Sequence, residues 1–413
     1  MAKSLGSPLW LLFVWALMTL MALCGALCFG ELSTRYPEDG GLYVYLREAY
    51  GNRVAFLYGW MGLLVMDPGI TAALTVGMAT YASYIFGWSA VATKVAAIAT
   101  LMVLGAINIV NLRIGAGFLR IVTWLKFAIL GAIVLRGLVF HLGSWHNFQP
   151  LLQQRPGSMP LAPALAVAAV AGFFSFGGWW DLSKIAGEVK DPGRTLPRAL
   201  VAGVLGVGAA YVFITAVFLY LVPLERVVSD QGFVAQAGEV LFGASGAKVL
   251  SIAVVVCVLG SLAALIMVTP RVYYAMAKDG MFFSSVVVPH ARFGTPSRAI
   301  MVQVGMASLL IALGSFDKII SYFIFVAVVF LGLAVSTIFI FRKRDDKAAH
   351  VVRAAGYPYT PVFFLFLVVV LLGLMLSHNL LQVAIGVGVV ALGLPVHLVM
   401  NRKRVVEEVR ADA

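Results

Sequence analysis

The residues with chemistry to offer are few, and most lie inside apolar stretches. Between 162 and 186 the chain reads Phe173-Phe174-Ser175-Phe176-Gly177-Gly178-Trp179-Trp180-Asp181, a glycine pair framed by aromatic rings. Glycine in mid-helix costs about 1 kcal/mol relative to alanine, and a break there releases main-chain amide and carbonyl groups that need partners. At membrane depth such groups can hold the charged ends of a small polar solute, and flanking rings can close over it. The other use of paired small residues is close packing against a neighbouring helix.

Lys126 is the second feature, between Trp124, Leu125, Phe127 and Ala128 in the middle of the stretch 116–139. A charge at that depth costs at least about 2.5–3.5 kcal/mol on insertion scales, so the ammonium must face protein or water. That cost makes it a candidate proton carrier. Snorkelling to the interface is the alternative, and the depth disfavours it. Asp67, just before Pro68, is the other deep charge. It can bind a substrate amino group, exchange a proton or pair with Lys126. A plain Asp-Pro kink with the acid facing a wet cavity explains it equally well. Asp181 lies about a helical turn beyond the glycines and can cap or bind, while Glu188 reads as an interfacial residue.

Other chemistries lack their motifs. There is no G-x-x-x-x-G-K-[ST] loop, no H-E-x-x-H and no G-x-S-x-G elbow. The six histidines are scattered over span ends and loops. Cys24 and Cys28 share a helix face, but two thiols make a poor metal site, and with Cys257 they read as packing residues. Nothing calls for an enzyme, a metal or a cofactor. A channel would show pore-lining charge rings or a carbonyl filter, and neither is legible. A transporter, or a non-transporting membrane subunit, remains.

The elements that must position these groups follow from composition. Of 413 residues, 62% are hydrophobic and 12% charged, about half the charge of a soluble domain. Apolar stretches recur at 8–30, 54–86, 91–110, 116–139, 162–186, 197–222, 247–277, 298–314, 317–341, 360–377 and 380–400. These predict an all-α membrane protein of about eleven transmembrane helices, with a short amphipathic segment near 231–242. Placing the loop after the first span in the cytoplasm puts twenty-two Lys and Arg inside and seven outside. That bias follows the positive-inside rule and accounts for the net charge of +12 without nucleic-acid binding. It predicts an outside amino end and a cytoplasmic carboxyl end in a multi-pass cell-membrane protein. Reading 1–30 as a cleaved signal peptide would send Arg35, Arg47 and Arg53 outward, against the pattern.

Longer motifs carry a resemblance. Ala22 through Gly41 (Ala-Leu-Cys-Gly-Ala-Leu-Cys-Phe-Gly-Glu-Leu-Ser-Thr-Arg-Tyr-Pro-Glu-Asp-Gly-Gly), then Tyr45-Leu-Arg47-Glu48, resembles the second-helix signature of the amino acid–polyamine–organocation superfamily. Phe173 to Trp180, Ala186-Gly-Glu188-Val-Lys-Asp191-Pro192 and Leu196-Pro197-Arg198 are similar to its sixth helix and following loop. Thr269-Pro-Arg271 through Asp279-Gly280, with Phe293-Gly-Thr-Pro296, is similar to the end of its eighth helix. The L-type amino-acid transporter branch looks nearest.

The resemblance implies two inverted five-helix repeats plus two further helices, with substrate held where the first and sixth helices unwind. Ser175, Phe176, Gly177, Gly178 and Trp179 then line the substrate break; Asp67, singled out by its depth alone, is a further candidate ligand, above all for a cationic amine. Lys126 stands where proton-coupled relatives carry a lysine, and Ser261 where a hydroxyl approaches it. No counterpart of the family's first helix is legible. The expected layout is one transmembrane domain over 1–413. It comprises 8–139 as the remainder of repeat one, 162–341 as repeat two, 360–400 as two closing helices and 401–413 as a cytoplasmic tail. The expected partners are an amino acid or amine, protons and the lipid bilayer. The expected function is secondary transport of amino acids by alternating access, proton-linked or exchanging, with a polyamine carrier or a truncated, non-transporting product as the alternatives.

Overall fold

The computed structural model describes residues 1–110, 112–227, 230–288, 290–314, 316–344, 351–378 and 380–400. The predicted tail 401–413 and the basic residues Lys347, Arg402, Lys403, Arg404 and Arg410 lie outside them. The described chain is a bundle of helices: α1 (Ala2–Leu5), α2 (Pro8–Arg35), α3 (Leu42–Tyr50), α4 (Asn52–Met61), α5 (Asp67–Phe86), α6 (Ala90–Val110), α7 (Leu112–Val139), α8 (Leu161–Ser175), α9 (Pro192–Leu221), α10 (Asp230–Phe242), α11 (Gly246–Val268), α12 (Pro270–Lys278), α13 (Ser297–Leu313), α14 (Phe316–Arg344), α15 (Tyr359–His378) and α16 (Leu380–Ala391).

Ten helical stretches among the described residues are long and apolar enough to cross a membrane. The remaining predicted span, 298–314, falls on α13, a 17-residue apolar helix. At about 1.5 Å per residue that is about 26 Å, just short of a hydrocarbon core of about 30 Å. Large apolar side chains face outward along α6, α7 and α15, among them Val91, Met102, Ile121, Trp124 and Val369, as lipid contact demands.

Three spans are interrupted, each for a local reason. The stretch Asn52–Phe86 passes through a π-helical turn at Gly62–Met66. Pro68 has no amide hydrogen to give the preceding turn, and a π turn absorbs the register change. The span predicted over 162–186 stops as an α-helix at Ser175 and resumes as a 3-10 turn over Trp179–Lys184. The span predicted over 247–277 divides at Thr269–Pro270.

Two apolar clusters hold the bundle. The larger joins α2, α3, α4, α14 and α15, and the smaller joins α5, α6, α11 and α13 through Ala72, Met78, Leu104, Leu262, Ile266 and Val304. The α2–α9 contact is the most extensive. Gly208 permits it, since a Cβ there would overlap Thr19. Polar ties reinforce the apolar ones. Glu31, 1% exposed, accepts from Arg342 Nε at 2.9 Å, Arg342 Nη2 at 2.5 Å and the Ala354 amide at 2.8 Å.

Two basic residues counted among the loop charges turn out to be structural. Lys184 and Arg271 are each 1% exposed, Lys184 paired with the buried Asp67 and Asp181 and Arg271 with the exposed Glu188. Both lie near the ends of predicted spans, 162–186 and 247–277, which is why charge counting assigned them to the adjoining loops.

Candidate substrate and coupling site

Helix α8 ends at Ser175 because Gly178 adopts a φ of +98°, a left-handed conformation that glycine reaches without a Cβ penalty. The main chain turns through Phe176 and Gly177. The Phe176 amide donates to the Gly172 carbonyl and the Gly177 amide to that of Phe174, both at 3.0 Å. Tyr211 from α9 donates to the Ser175 carbonyl at 2.8 Å, so a carbonyl at the break is held by a side chain from another helix. Ser175 and Gly177 are exposed, whereas Phe176 is buried against Trp15 and Tyr211. Trp179 folds back onto α2, edge-on to Phe29 with ring centres 5.2 Å apart, over Gly25, where a Cβ would overlap the indole. The five residues singled out from sequence thus form one corner between α2, α9 and the broken helix.

Lys126 on α7 approaches α11. Its Nζ lies 3.2 Å from Ser261 Oγ, which itself donates to the Cys257 carbonyl at 3.3 Å. Gly260 makes the room, because a Cβ there would stand 2.7 Å from Lys126 Cε and 3.0 Å from its Nζ. Lys126 has no carboxylate partner among the described residues, and Asp67 does not pair with it.

Asp67 joins a different cluster. Its Oδ1 lies 3.4 Å from Lys184 Nζ, and that ammonium reaches Asp181 Oδ1 at 2.9 Å. Tyr273, Gln303 and Thr71 complete the network, and Asp67 is 5% exposed. Lys184 therefore ties the turn after the break to the start of α5. Sequence reading missed it, although its spacing of three residues from Asp181 was a usable signal for an ion pair on one turn.

A further set of ties closes the same end of the bundle. Arg47 meets Asp279 at 2.6 Å and Arg271 meets Glu188 at 3.0 Å, so Glu188 is an ion-pair partner at that end. Tyr43 donates to Asp279 at 2.8 Å, and burial with the neighbouring carboxylate pushes its hydroxyl pKa well above the usual tyrosine range. Asp39 accepts from the Gly187 amide at 3.0 Å. Burial, followed by the charge of Glu188, raises its carboxyl pKa above the ordinary aspartate range.

Residues 1–392 match the family model described as Amino acid permease. The chain belongs to that family. The permease is 30% identical over 396 residues to the Serine/threonine exchanger SteT of Bacillus subtilis (strain 168), covering 95% of this chain and 89% of that protein. It is 28% identical over 337 residues to the b(0,+)-type amino acid transporter 1 of Homo sapiens, covering 80% and 68%. It is also 24% identical over 392 residues to the Cystine/glutamate transporter of Homo sapiens, covering 94% and 77%. Family members are transporters, and the permease is one rather than an enzyme. Among the described residues no group of His, Cys, Asp and Glu is arranged to hold a metal ion.

Proposed function

We propose that the permease is a secondary transporter of amino acids in a cell membrane, working by alternating access as a proton-linked carrier or an exchanger. The observation that carries this is the break of α8 at Phe176–Gly178, exposed at Ser175 and Gly177, in a chain whose relatives are named for exchanging or transporting amino acids. Main-chain groups at the break would bind the substrate's carboxylate and amino ends, and Phe176, packed on Trp15 and Tyr211 in this conformation, would gate access to them. The arrangement proposed around it is an inverted five-plus-five repeat with two closing helices, nearest the L-type branch, the carboxyl end cytoplasmic and the amino end outside.

Lys126 would carry the coupling proton, with Ser261 as the hydroxyl that receives its ammonium. Coupling requires that Lys126 bind the proton unequally in the two facing states, since equal affinity shifts nothing. Asp67 would reach a substrate ammonium only after Lys184 withdraws, because Lys184 faces it in this conformation.

The test is exchange in proteoliposomes loaded with unlabelled amino acids and offered labelled serine, alanine, leucine, arginine and putrescine, with and without a pH gradient. Saturable uptake accelerated by internal amino acid is the expected result. Uptake of putrescine alone would replace this reading with an amine carrier, and uptake of none by folded, inserted protein would end it.

A further inference from the structure

Two independent features of the network beneath the break bear on the charge state of Asp67. The first is hydrogen counting. Thr71 Oγ1 lies 2.7 Å from the Asp67 main-chain carbonyl, and a carbonyl can only accept, so the threonine hydrogen points there. Thr71 Oγ1 must then accept its other contact, which comes from Gln303 at 2.9 Å and therefore from the amide Nε2. That fixes Gln303 with Oε1 toward Tyr273, whose hydroxyl is 2.7 Å away. Oε1 has no hydrogen either, so the single hydrogen of Tyr273 is committed to it. Asp67 Oδ2 nonetheless lies 3.0 Å from the same hydroxyl oxygen, and the Gly62 carbonyl 3.5 Å from it. An ionised carboxylate is acceptor-only, so the contact lacks a hydrogen unless Asp67 supplies one.

The second feature is charge balance. Asp67 and Asp181 face one ammonium, that of Lys184, and all three are at most 9% exposed. Lys184 stands nearer Asp181, at 2.9 Å against 3.4 Å. The other titratable groups facing Asp67 are the hydroxyls of Tyr273 on α12 and Tyr58 on α4. Helix α13 presents the uncharged Gln303. Helices α6 and α11 carry only Lys94 and Lys248, each in or near the first turn, and α14 has charges only at its two ends. With both acids ionised the pocket would hold one uncompensated negative charge, which a buried site resists. One proton removes it.

We infer that Asp67 is a proton-binding site, held in this conformation as a neutral carboxylic acid that donates from Oδ2 to Tyr273 while Lys184 pairs with Asp181. The proton then sets how firmly the turn Trp179–Lys184 is tied to α5. Protonated Asp67 offers Lys184 only a carbonyl dipole, and loss of the proton converts that contact into a second ion pair. If the turn moves during transport, as the proposed function requires, alkaline pH would hold it in place.

The decisive measurement is infrared spectroscopy of the purified full chain in lipid at neutral pH, comparing the protein with Asp67→Asn and Tyr273→Phe. The expected result is a carboxylic-acid C=O band that vanishes in Asp67→Asn and persists at higher frequency in Tyr273→Phe, where its hydrogen-bond acceptor is gone. Asparagine can donate to Tyr273 as the neutral acid does, so Asp67→Asn should unfold close to the parent temperature and Asp67→Ala well below it. A difference spectrum in which Asp67→Asn removes only ionised-carboxylate intensity would overturn the inference. So would an Asp67→Asn protein as unstable as Asp67→Ala. Neither readout involves transport, so the inference can fail while the transport reading stands, and the reverse.

Discussion

Replacing Gly260 with alanine changes the setting of Lys126 and leaves its charge in place. The added Cβ would lie 2.7 Å from Lys126 Cε, 3.0 Å from Nζ and 2.8 Å from Val122 Cγ1. Carbon contacts settle at about 3.5–4.0 Å, so the lysine must retreat by roughly 1 Å. Its hydrogen bond to Ser261 starts at 3.2 Å and does not survive that retreat. Bonds to charged groups are worth about 1.5–3 kcal/mol. Lys126 is only half-buried, so the low end applies, about 1.5 kcal/mol or a factor of roughly ten in an equilibrium. The repacking itself costs about 1–3 kcal/mol of stability, and the flexible lysine stem keeps it near the lower figure. The assay is the initial rate of amino-acid exchange in proteoliposomes across a range of pH. Gly260→Ala should slow exchange about tenfold and flatten its pH dependence. Combined with Lys126→Ala it should add nothing, because both changes remove the same interaction. Full additivity of the two losses, or an unchanged pH profile in Gly260→Ala, would refute the reasoning.

Three further outcomes are expected. Gly178→Ala forces a side chain into φ +98°, a strain of about 1–3 kcal/mol. Thermal unfolding should report that loss, and exchange should fall further than the amount of folded protein does. Glu31→Gln removes the buried carboxylate that takes two hydrogen bonds from Arg342, each worth about 1.5–3 kcal/mol to a charged group, and should lower stability. Denaturation should show Glu31→Gln with Arg342→Met recovering part of it. Asp39 has a raised pKa in the folded chain, chiefly from burial, so the native state binds its proton more tightly than the unfolded chain does. Its ionisation therefore lowers stability as pH rises from the ordinary aspartate range through the raised value. Asp39→Asn should remove that slope from melting temperatures measured across the same window.

Much of the fold was legible because lipid imposes a simple rule. A span must be long and apolar, and each of the eleven predicted stretches falls on a helix. The break at Gly177–Gly178 was legible for a related reason, since adjacent glycines inside an aromatic run conflict with the helix around them. Lys126 and Ser261 were singled out separately, one from the cost of a deep charge and the other from the family resemblance. The structure brings them within 3.2 Å. What sequence could not show was the partner of Asp67. Candidates for an interior acid are sought among interior bases, and Lys184, at the end of the predicted span 162–186, was counted with the charges of the loop that follows. Only the 3-10 turn after the break carries it inside. Arg271 was hidden in the same way, behind the helix break at Pro270. Both cases show local sequence texture overridden by a tertiary ion pair, which has no periodicity to betray it.

The central claim is that substrate binds at the break in α8. Ser175→Cys, made in a background with Cys257 replaced and with the buried Cys24 and Cys28 left in place, puts one reactive thiol at the exposed edge of that break. Its labelling rate with a small maleimide, with and without transported amino acid, is the direct measurement. The account predicts protection that saturates at the same amino-acid concentration as exchange. Labelling that amino acid leaves untouched, in protein that still exchanges, would contradict it.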